Sequence, residues 1–266
     1  MTSDQPGVTG IFDEAAPAYD RVGVDFFTPM GAELVRRAGI RPGDNVLDVG
    51  CGRGAVLVPA AAAAGPAGRV IGTDLAPAMV ALTAEAVADL PTVSVQAGDA
   101  QAPDFPAGSF DVITAGLVLF FLPDPAAALA AYRELLRPGG RLAFSSFAAY
   151  DPLYPEAMKA LAAHAVDAPP PRDAGGIFRS EETLRAALTA WAEVQVTEFR
   201  QVSRYAGGQQ WFDWVDSHGG RQLTRLIPAD RRAAAAADAE AVLASTRTPD
   251  GSLELTTTIR IVVAGR

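Results

Sequence analysis

Two rhythms of hydrophobic and polar positions run along this chain. From about Asp44 to Phe147, short apolar runs alternate with Ala-rich stretches of helical length, the pattern of a parallel sheet with crossover helices. The runs Asn45-Val46-Leu47-Asp48-Val49, Arg69-Val70-Ile71-Gly72-Thr73 and Val93-Ser94-Val95-Gln96 read as the first three strands. Phe110-Asp111-Val112-Ile113-Thr114 and Arg141-Leu142-Ala143-Phe144-Ser145 read as the fourth and fifth. Pro77 to Asp89 and Pro125 to Leu136 read as helices, each beginning near Pro or Asp as helix starts tend to. Pro59 inside the first crossover helix predicts a kink.

Outside that stretch the rhythm changes. Residues 9–38 read as a short helical preface carrying Phe12, Tyr19, Phe26 and Phe27. Beyond Tyr150 come Pro169-Pro170-Pro171 and a loop ending at Gly175-Gly176, then a helix from Ser180 to Ala190. Ser180-Glu181-Glu182-Thr183 supplies that helix with an N-cap but no complete capping box. Val194 to Val202 reads as a sixth strand, 209–245 as helical, and Leu253 to Val263 as a closing strand. Three parts result: a helical cap over 1–40, an α/β core over 41–150, and an elaboration over 151–266 that also closes the sheet.

Composition narrows the function classes. With 266 residues, 49% of them hydrophobic, the chain suits one α/β domain plus an elaboration and not a disordered segment. The start, MTSDQPGVTG, has no basic region followed by an apolar one, so no secretory signal is expected. The apolar run Leu117 to Leu122 is far too short to span a membrane. A formal charge of −9 opposes approach to a polyphosphate backbone, so nucleic acid is not expected as a partner. Arg36-Arg37 and Arg231-Arg232 read as solvated helix faces. The single cysteine, Cys51, builds neither an intrachain disulfide nor a metal cluster, so no metal is expected. These features read as a cytoplasmic monomer or homodimer.

The chemistry concentrates in Asp48-Val49-Gly50-Cys51-Gly52-Arg53-Gly54, between a strand and a helix. Glycines there permit a sharp turn and let a ligand approach main-chain N–H groups at a helix N-terminus. A tight structural turn competes with that reading for the loop taken alone. Asp74 ends the second strand, where a carboxylate can accept hydrogen bonds from ribose hydroxyls. Asp99 follows the third in Gly98-Asp99-Ala100, where it can accept from an exocyclic amine. All three features lie on the carboxyl edge of the sheet, where open α/β folds bind ligands.

In order and spacing, VLDVGCGRG (46–54), GTDLAPAM (72–79), GDA (98–100), FDVI (110–113) and LLRPGG (135–140) resemble the class I S-adenosylmethionine-dependent methyltransferases. The resemblance covers roughly residues 12–147. It implies a Rossmann-like α/β fold: a seven-stranded, mostly parallel sheet with an antiparallel last strand. A helical N-terminal cap and a helical insertion between the last two strands accompany it. It also implies that Asp48, Gly50, Gly52 and Gly54 hold the methionyl end of S-adenosyl-L-methionine and Asp74 its ribose. Leu75 and Met79 would pack around ribose and adenine, with Gly98, Asp99 and Ala100 toward the adenine edge. Ala115 and Leu117 would lie beside the methionyl group, and S-adenosyl-L-homocysteine would be the product. Phe12-Asp13 and Tyr19-Asp20 fit a segment that closes over the cofactor in similar enzymes, with Tyr19 facing its carboxylate. Ordinary packing competes for Tyr19.

The chain also departs from the family. Similar enzymes often carry His after the fourth strand, where this chain has Phe120 and Phe121. His218, in Trp211-Phe212-Asp213-Trp214-Val215-Asp216-Ser217-His218, and Tyr205 are the candidates for a catalytic group, ahead of His164. Phe12, Phe120, Phe121, Phe147, Tyr150, Trp211 and Trp214 read as lining for a hydrophobic acceptor, with core packing as the rival reading of each. The expected activity is methylation of a small hydrophobic or aromatic bacterial metabolite on oxygen, nitrogen or carbon. Two readings stand beside it: a protein that binds the cofactor without transferring methyl, and a nicotinamide-dependent oxidoreductase. The latter prefers a loop one residue longer, Gly-x-Gly-x-x-Gly.

Overall fold

The fold is described from a computed structural model covering residues 6–167 and 176–266. Pro169-Pro170-Pro171 and Gly175 lie outside those residues. The chain forms two compact units, one comprising Phe27–Ala148, Asp173–Phe199 and Ile259–Arg266, the other Met1–Phe26, Ala149–Arg172 and Arg200–Thr258.

The larger unit holds the alternating stretch. Its strands are β1 (Asn45–Val49), β2 (Arg69–Asp74), β3 (Val93–Ala97), β4 (Phe110–Gly116) and β5 (Leu136–Ala149), with β6 (Ala192–Tyr205) and β7 (Leu253–Gly265) shared with the other unit. Together they form one sheet in the order β3-β2-β1-β4-β5-β7-β6. Strands β3, β2, β1, β4 and β5 pair in parallel, with Val46 beside both Val70 and Val112. The Arg266 N–H donates to Gly140 O at 2.9 Å, so the end of β7 lies beside the start of β5 and β7 runs antiparallel to it. The expected Rossmann-like sheet is present.

Helices α2 (Phe27–Ala38), α3 (Leu57–Ala64), α4 (Pro77–Ala86), α5 (Pro125–Leu135) and α7 (Glu181–Ala187) belong to this unit, and α6 (Tyr154–Ala162) to the other. One core joins Leu47, Ile71, Ile113, Leu129, Phe144, Phe178, Leu184 and Val262. Asp111 accepts from the Asn45 N–H at 2.8 Å and from Arg137 Nη1 at 2.9 and 3.0 Å. The acid of FDVI and the arginine of LLRPGG thus staple strand starts, at the opposite edge from the Gly-rich loop.

Two local expectations are corrected. Pro59 falls in the first turn of α3, where its missing N–H would have no intrahelical acceptor, so the helix accommodates it. The capping box at Ser180 is complete: Ser180 Oγ accepts from the Thr183 N–H, and Thr183 Oγ1 accepts from the Ser180 N–H, both at 3.1 Å. A threonine hydroxyl does what a Glu or Gln carbonyl oxygen does in the usual box.

The smaller unit is a helical cluster of α1 (Pro6–Ala15), α6, α8 (Gly208–Asp216), α9 (Arg221–Thr224) and α10 (Arg232–Leu243). Ala235, Ala236 and Ala239 are buried on α10, and small side chains let neighbouring helices come close. A Cβ on Gly208 of α8 would lie 2.6 Å from Ala236 O. Glu240 Oε2 accepts the Gly208 N–H at 2.8 Å, so an acid from α10 satisfies a donor at the start of α8.

Candidate functional site

Parallel register brings the carboxyl ends of β1, β2 and β3 to one edge, pairing Val49 with Thr73 and Asp74 with Ala97. The loop after β1 turns through left-handed backbone at Gly50 (φ 64°), Gly52 (φ 49°) and Gly54 (φ 89°). A Cβ on Gly50 would lie 2.4 Å from Val118 Cγ2, whereas one on Gly52 would meet nothing within 4 Å. Gly50 is therefore required by packing, and Gly52 borders open space in a conformation that disfavours any side chain.

Two elements, β2 and α4, hold this loop. Asp74 accepts the Gly52 N–H on Oδ2 at 2.8 Å and the Ala76 N–H on Oδ1 at 2.9 Å. Thr83 of α4 donates to Gly52 O at 2.7 Å, and the Cys51 N–H donates to Thr73 O at 2.9 Å. Burial raises the Asp74 pKa against the opposing pull of those backbone N–H groups.

Asp48 is 1% exposed, and its Oδ1 accepts from Thr114 Oγ1 at 2.7 Å. Its Oδ2 has no partner. Burial pushes its carboxyl up to about 7, the Thr114 bond opposing and the Asp74 charge adding to the rise. A buried oxygen left without a donor is uncommon. Arg53 is the complementary anomaly: its Nε and Nη1 are buried without any acceptor.

The remaining sequence-derived positions differ in character. Leu75 is 52% exposed just past β2, whereas Met79 and Ala115 are fully buried. Asp99 is exposed and accepts the Gln101 N–H at 2.8 Å. Gly98 packs against Thr73, where an added Cβ would lie 3.0 Å from Thr73 Cβ. Ala100 O accepts the Tyr132 hydroxyl at 2.5 Å, tying α5 to the segment after β3. Leu117 has φ 55°, an unusual conformation for a branched residue, and its N–H donates to the buried Ser145 hydroxyl at 3.0 Å. Past β4, the Phe120 ring lies 4.6 Å from Phe121, 5.4 Å from Phe147 and 6.3 Å from Phe178.

All of those residues belong to the sheet-bearing unit; the other candidates belong to the helical one. There, Trp214 touches Phe26 and Tyr205 at 5.4 Å each and His218 at 4.4 Å, while Tyr154 meets Trp211 at 6.1 Å and Tyr150 at 4.7 Å. The Phe12 and Tyr19 rings are 6.3 Å apart. The indole N–H groups of Trp211 and Trp214 are buried without acceptors. His218 Nδ1 lies 2.9 Å from Val215 O, which assigns the proton to Nδ1. Burial pushes the His218 pKa down to about 4, so the ring is neutral at pH 7 and a weak base. Tyr205 is 2% exposed, and burial raises its pKa, keeping the phenol protonated. His164 is engaged with Asp238 at 2.7 Å.

Residue-type reasoning passed over Thr83, Thr114, Tyr132 and Ser145. Their signal was faint but present: hydroxyl groups at positions that the strand and helix rhythms assign to the interior. Buried hydroxyls require partners, and here the partners are Gly52 O, Asp48, Ala100 O and the Leu117 N–H. Among the described residues no His, Cys, Asp and Glu group is arranged to hold a metal ion, and no helix is long and apolar enough to cross a membrane.

Known proteins resemble this chain. Residues 47–144 match the family model described as a methyltransferase domain. The chain is similar to nocamycin O-methyltransferase of Saccharothrix syringae, 41% identical over 250 residues, spanning 86% of this chain and 88% of that one. It is also similar to aklanonic acid methyltransferase of a Streptomyces species, 46% identical over 141 residues, spanning 52% of this chain and 64% of that one. Among solved structures, YcgJ of Bacillus subtilis shares the fold at 19% identity and TM-score 0.58, over 90% of this chain and 98% of that one.

Proposed function

Because the chain belongs to the class I S-adenosylmethionine-dependent methyltransferases, we propose that it methylates an oxygen of a small, hydrophobic, bacterial secondary metabolite. The observation that carries this reading is the extent of the match to an O-methyltransferase of a secondary metabolite, 88% of whose length is covered. The aromatic group of Phe120, Phe121 and Phe147 supports a hydrophobic acceptor.

S-adenosylmethionine is the cofactor of the family, and the residues here fit it. Asp48 offers a buried orphan oxygen to a cationic donor, and Gly52 leaves open space beside the loop. Asp74 keeps further acceptor capacity on both oxygens for a ribose diol. Leu75 presents an apolar side chain where an adenine would stack, with Met79 packed beneath and Asp99 near its amine. Gly50, Gly54, Gly98, Ala100, Ala115 and Leu117 would shape the walls.

When bound, the cofactor supplies an electrophilic methyl group on a sulfonium. The protein's part is then to hold the acceptor oxygen in line with that methyl group and exclude water. With a pKa of about 4, His218 is a poor base, and burial keeps the Tyr205 phenol protonated. An acceptor oxygen that is already anionic at neutral pH needs no base. The reading is tested by turnover of methyl-labelled cofactor with a panel of aromatic carboxylates, phenols, enols, amines and indoles. Labelled methyl on oxygen of apolar acceptors is expected; transfer only to amines or to very polar acceptors would overturn it.

A further inference from the structure

We propose that Arg53 is the partner of the cofactor's α-carboxylate, a positioning residue that reads the amino-acid end of S-adenosylmethionine together with Asp48. The inference rests on the cofactor assignment above and extends it to a residue that the family motif leaves unspecified.

Other guanidinium groups of the sheet-bearing unit show what a satisfied arginine looks like in this fold. Arg137 has Asp111 at 2.9 Å, Arg141 has Asp44 at 3.1 Å and Arg37 has Glu33 at 2.7 Å, whereas Arg260, paired with Glu198 at 3.3 Å, and Arg133 also keep buried nitrogens without an acceptor. Arg53 forms no ion pair among the described residues, although it is the arginine of the Gly-rich loop and is partly buried. Two of its nitrogens, Nε and Nη1, are shut off from solvent with no acceptor. A covered cation without a counter-charge is unfavourable, and the imbalance is relieved when an anion arrives.

The loop carries the opposite anomaly as well. Asp48, five positions before Arg53 in the sequence, keeps a buried oxygen without a donor. Asp74 does not resolve either imbalance, because no bond joins it to Arg53 and, bonded to the Gly52 and Ala76 N–H groups, it is itself an acceptor that offers Asp48 no donor. One motif thus lacks a donor at its strand end and an acceptor at its turn. A zwitterion supplies both: an ammonium group for Asp48 and a carboxylate for Arg53. The α-amino acid end of the cofactor is such a group, and a guanidinium is well suited to a carboxylate. Left-handed backbone at Gly52 (φ 49°) and Gly54 (φ 89°), on either side of Arg53, sets the course of the turn that displays it.

The test is calorimetric and needs no acceptor. S-adenosylhomocysteine is titrated into the full-length protein beside its decarboxylated analogue, which keeps the ammonium but lacks the carboxylate. The native protein should bind the complete ligand about 10- to 100-fold more tightly, the range for a charge-assisted hydrogen bond. Arg53→Met should lose most of that preference while binding the decarboxylated analogue within about 3-fold of the native protein. Arg53→Lys, which keeps the charge without the planar group, should fall between the two. Equal losses for both ligands in Arg53→Met would assign the residue to loop structure alone and overturn the proposal. So would a native protein that binds both ligands equally, a result that stands even if the variant fails to fold. Failure to bind either ligand would overturn the cofactor assignment itself, which separates the two claims.

Discussion

At the scale of single residues, Asp48 concentrates the physics of the site. Its carboxyl is pushed up to about 7 by burial, above the ordinary value of about 4. Between those two values the native state holds a proton that the unfolded chain has released, so this group's contribution to stability falls as pH rises from about 4 to about 7. A cationic ligand reverses the preference, because it stabilises the carboxylate. S-adenosylhomocysteine affinity is therefore expected to weaken as pH falls below about 7, with proton release on binding, measurable by calorimetry in buffers of different ionisation enthalpy. Asp48→Asn should raise the melting temperature at pH 8 and weaken that ligand by roughly 10-fold, the scale of one charged hydrogen bond. A melting temperature that falls at pH 8 would mean that the charged form is stabilised in the apo protein.

At the scale of elements, the site is a loop braced from both sides: by Asp74 at the end of β2 and by Thr83 in α4. Gly50→Ala places a Cβ 2.4 Å from Val118 Cγ2 at a φ of 64°. The loop must move, and cofactor binding is expected to fall at least about 10-fold, with far-ultraviolet circular dichroism unchanged. Unchanged affinity would show that the turn tolerates displacement. Tyr132→Phe removes the bond to Ala100 O that anchors the segment after β3. It should cost about 1–3 kcal/mol in a urea titration, since a buried carbonyl loses its donor. The existence of these elements was legible in the apolar rhythm; their exact ends were not. Strand β5 extends to Ala149 and β6 to Tyr205, well past the apolar runs that announced them, because ladder pairing continues after the pattern of side chains has weakened.

At the scale of the whole molecule, the chain divides its chemistry between two units. Asp48, Arg53 and Asp74 sit in the sheet-bearing unit, and the indoles of Trp211 and Trp214 sit in the helical one. The fully buried Trp211 stands on α8, which packs against the small-residue face of α10. Trp211→Ala is expected to destabilise the protein by about 3–5 kcal/mol, the range for deleting a large buried aromatic side chain. A change below about 1 kcal/mol on chemical denaturation would instead mark the indole as part of a yielding surface suited to a ligand. Overall charge acts at this scale too. At −9, the chain should not retain duplex DNA in a mobility-shift assay at physiological salt.

Strand, Gly-rich loop, acid and acid are local or ordered along the chain, so the sequence alone determined the sheet, the cofactor class and the family. Each depends on residue type at a fixed spacing, and parallel strands with crossover helices leave little freedom in where their carboxyl ends gather. Only the tertiary structure decided which of those groups remain unsatisfied. Asp48 is half satisfied because Thr114 stands opposite it in the ladder, and Asp74 is engaged because the loop folds back onto it. Arg53 keeps two buried nitrogens that no acid meets among the described residues. Satisfaction of a buried polar group is a property of its neighbours in space, many of them distant in sequence, and no pattern along the chain records it.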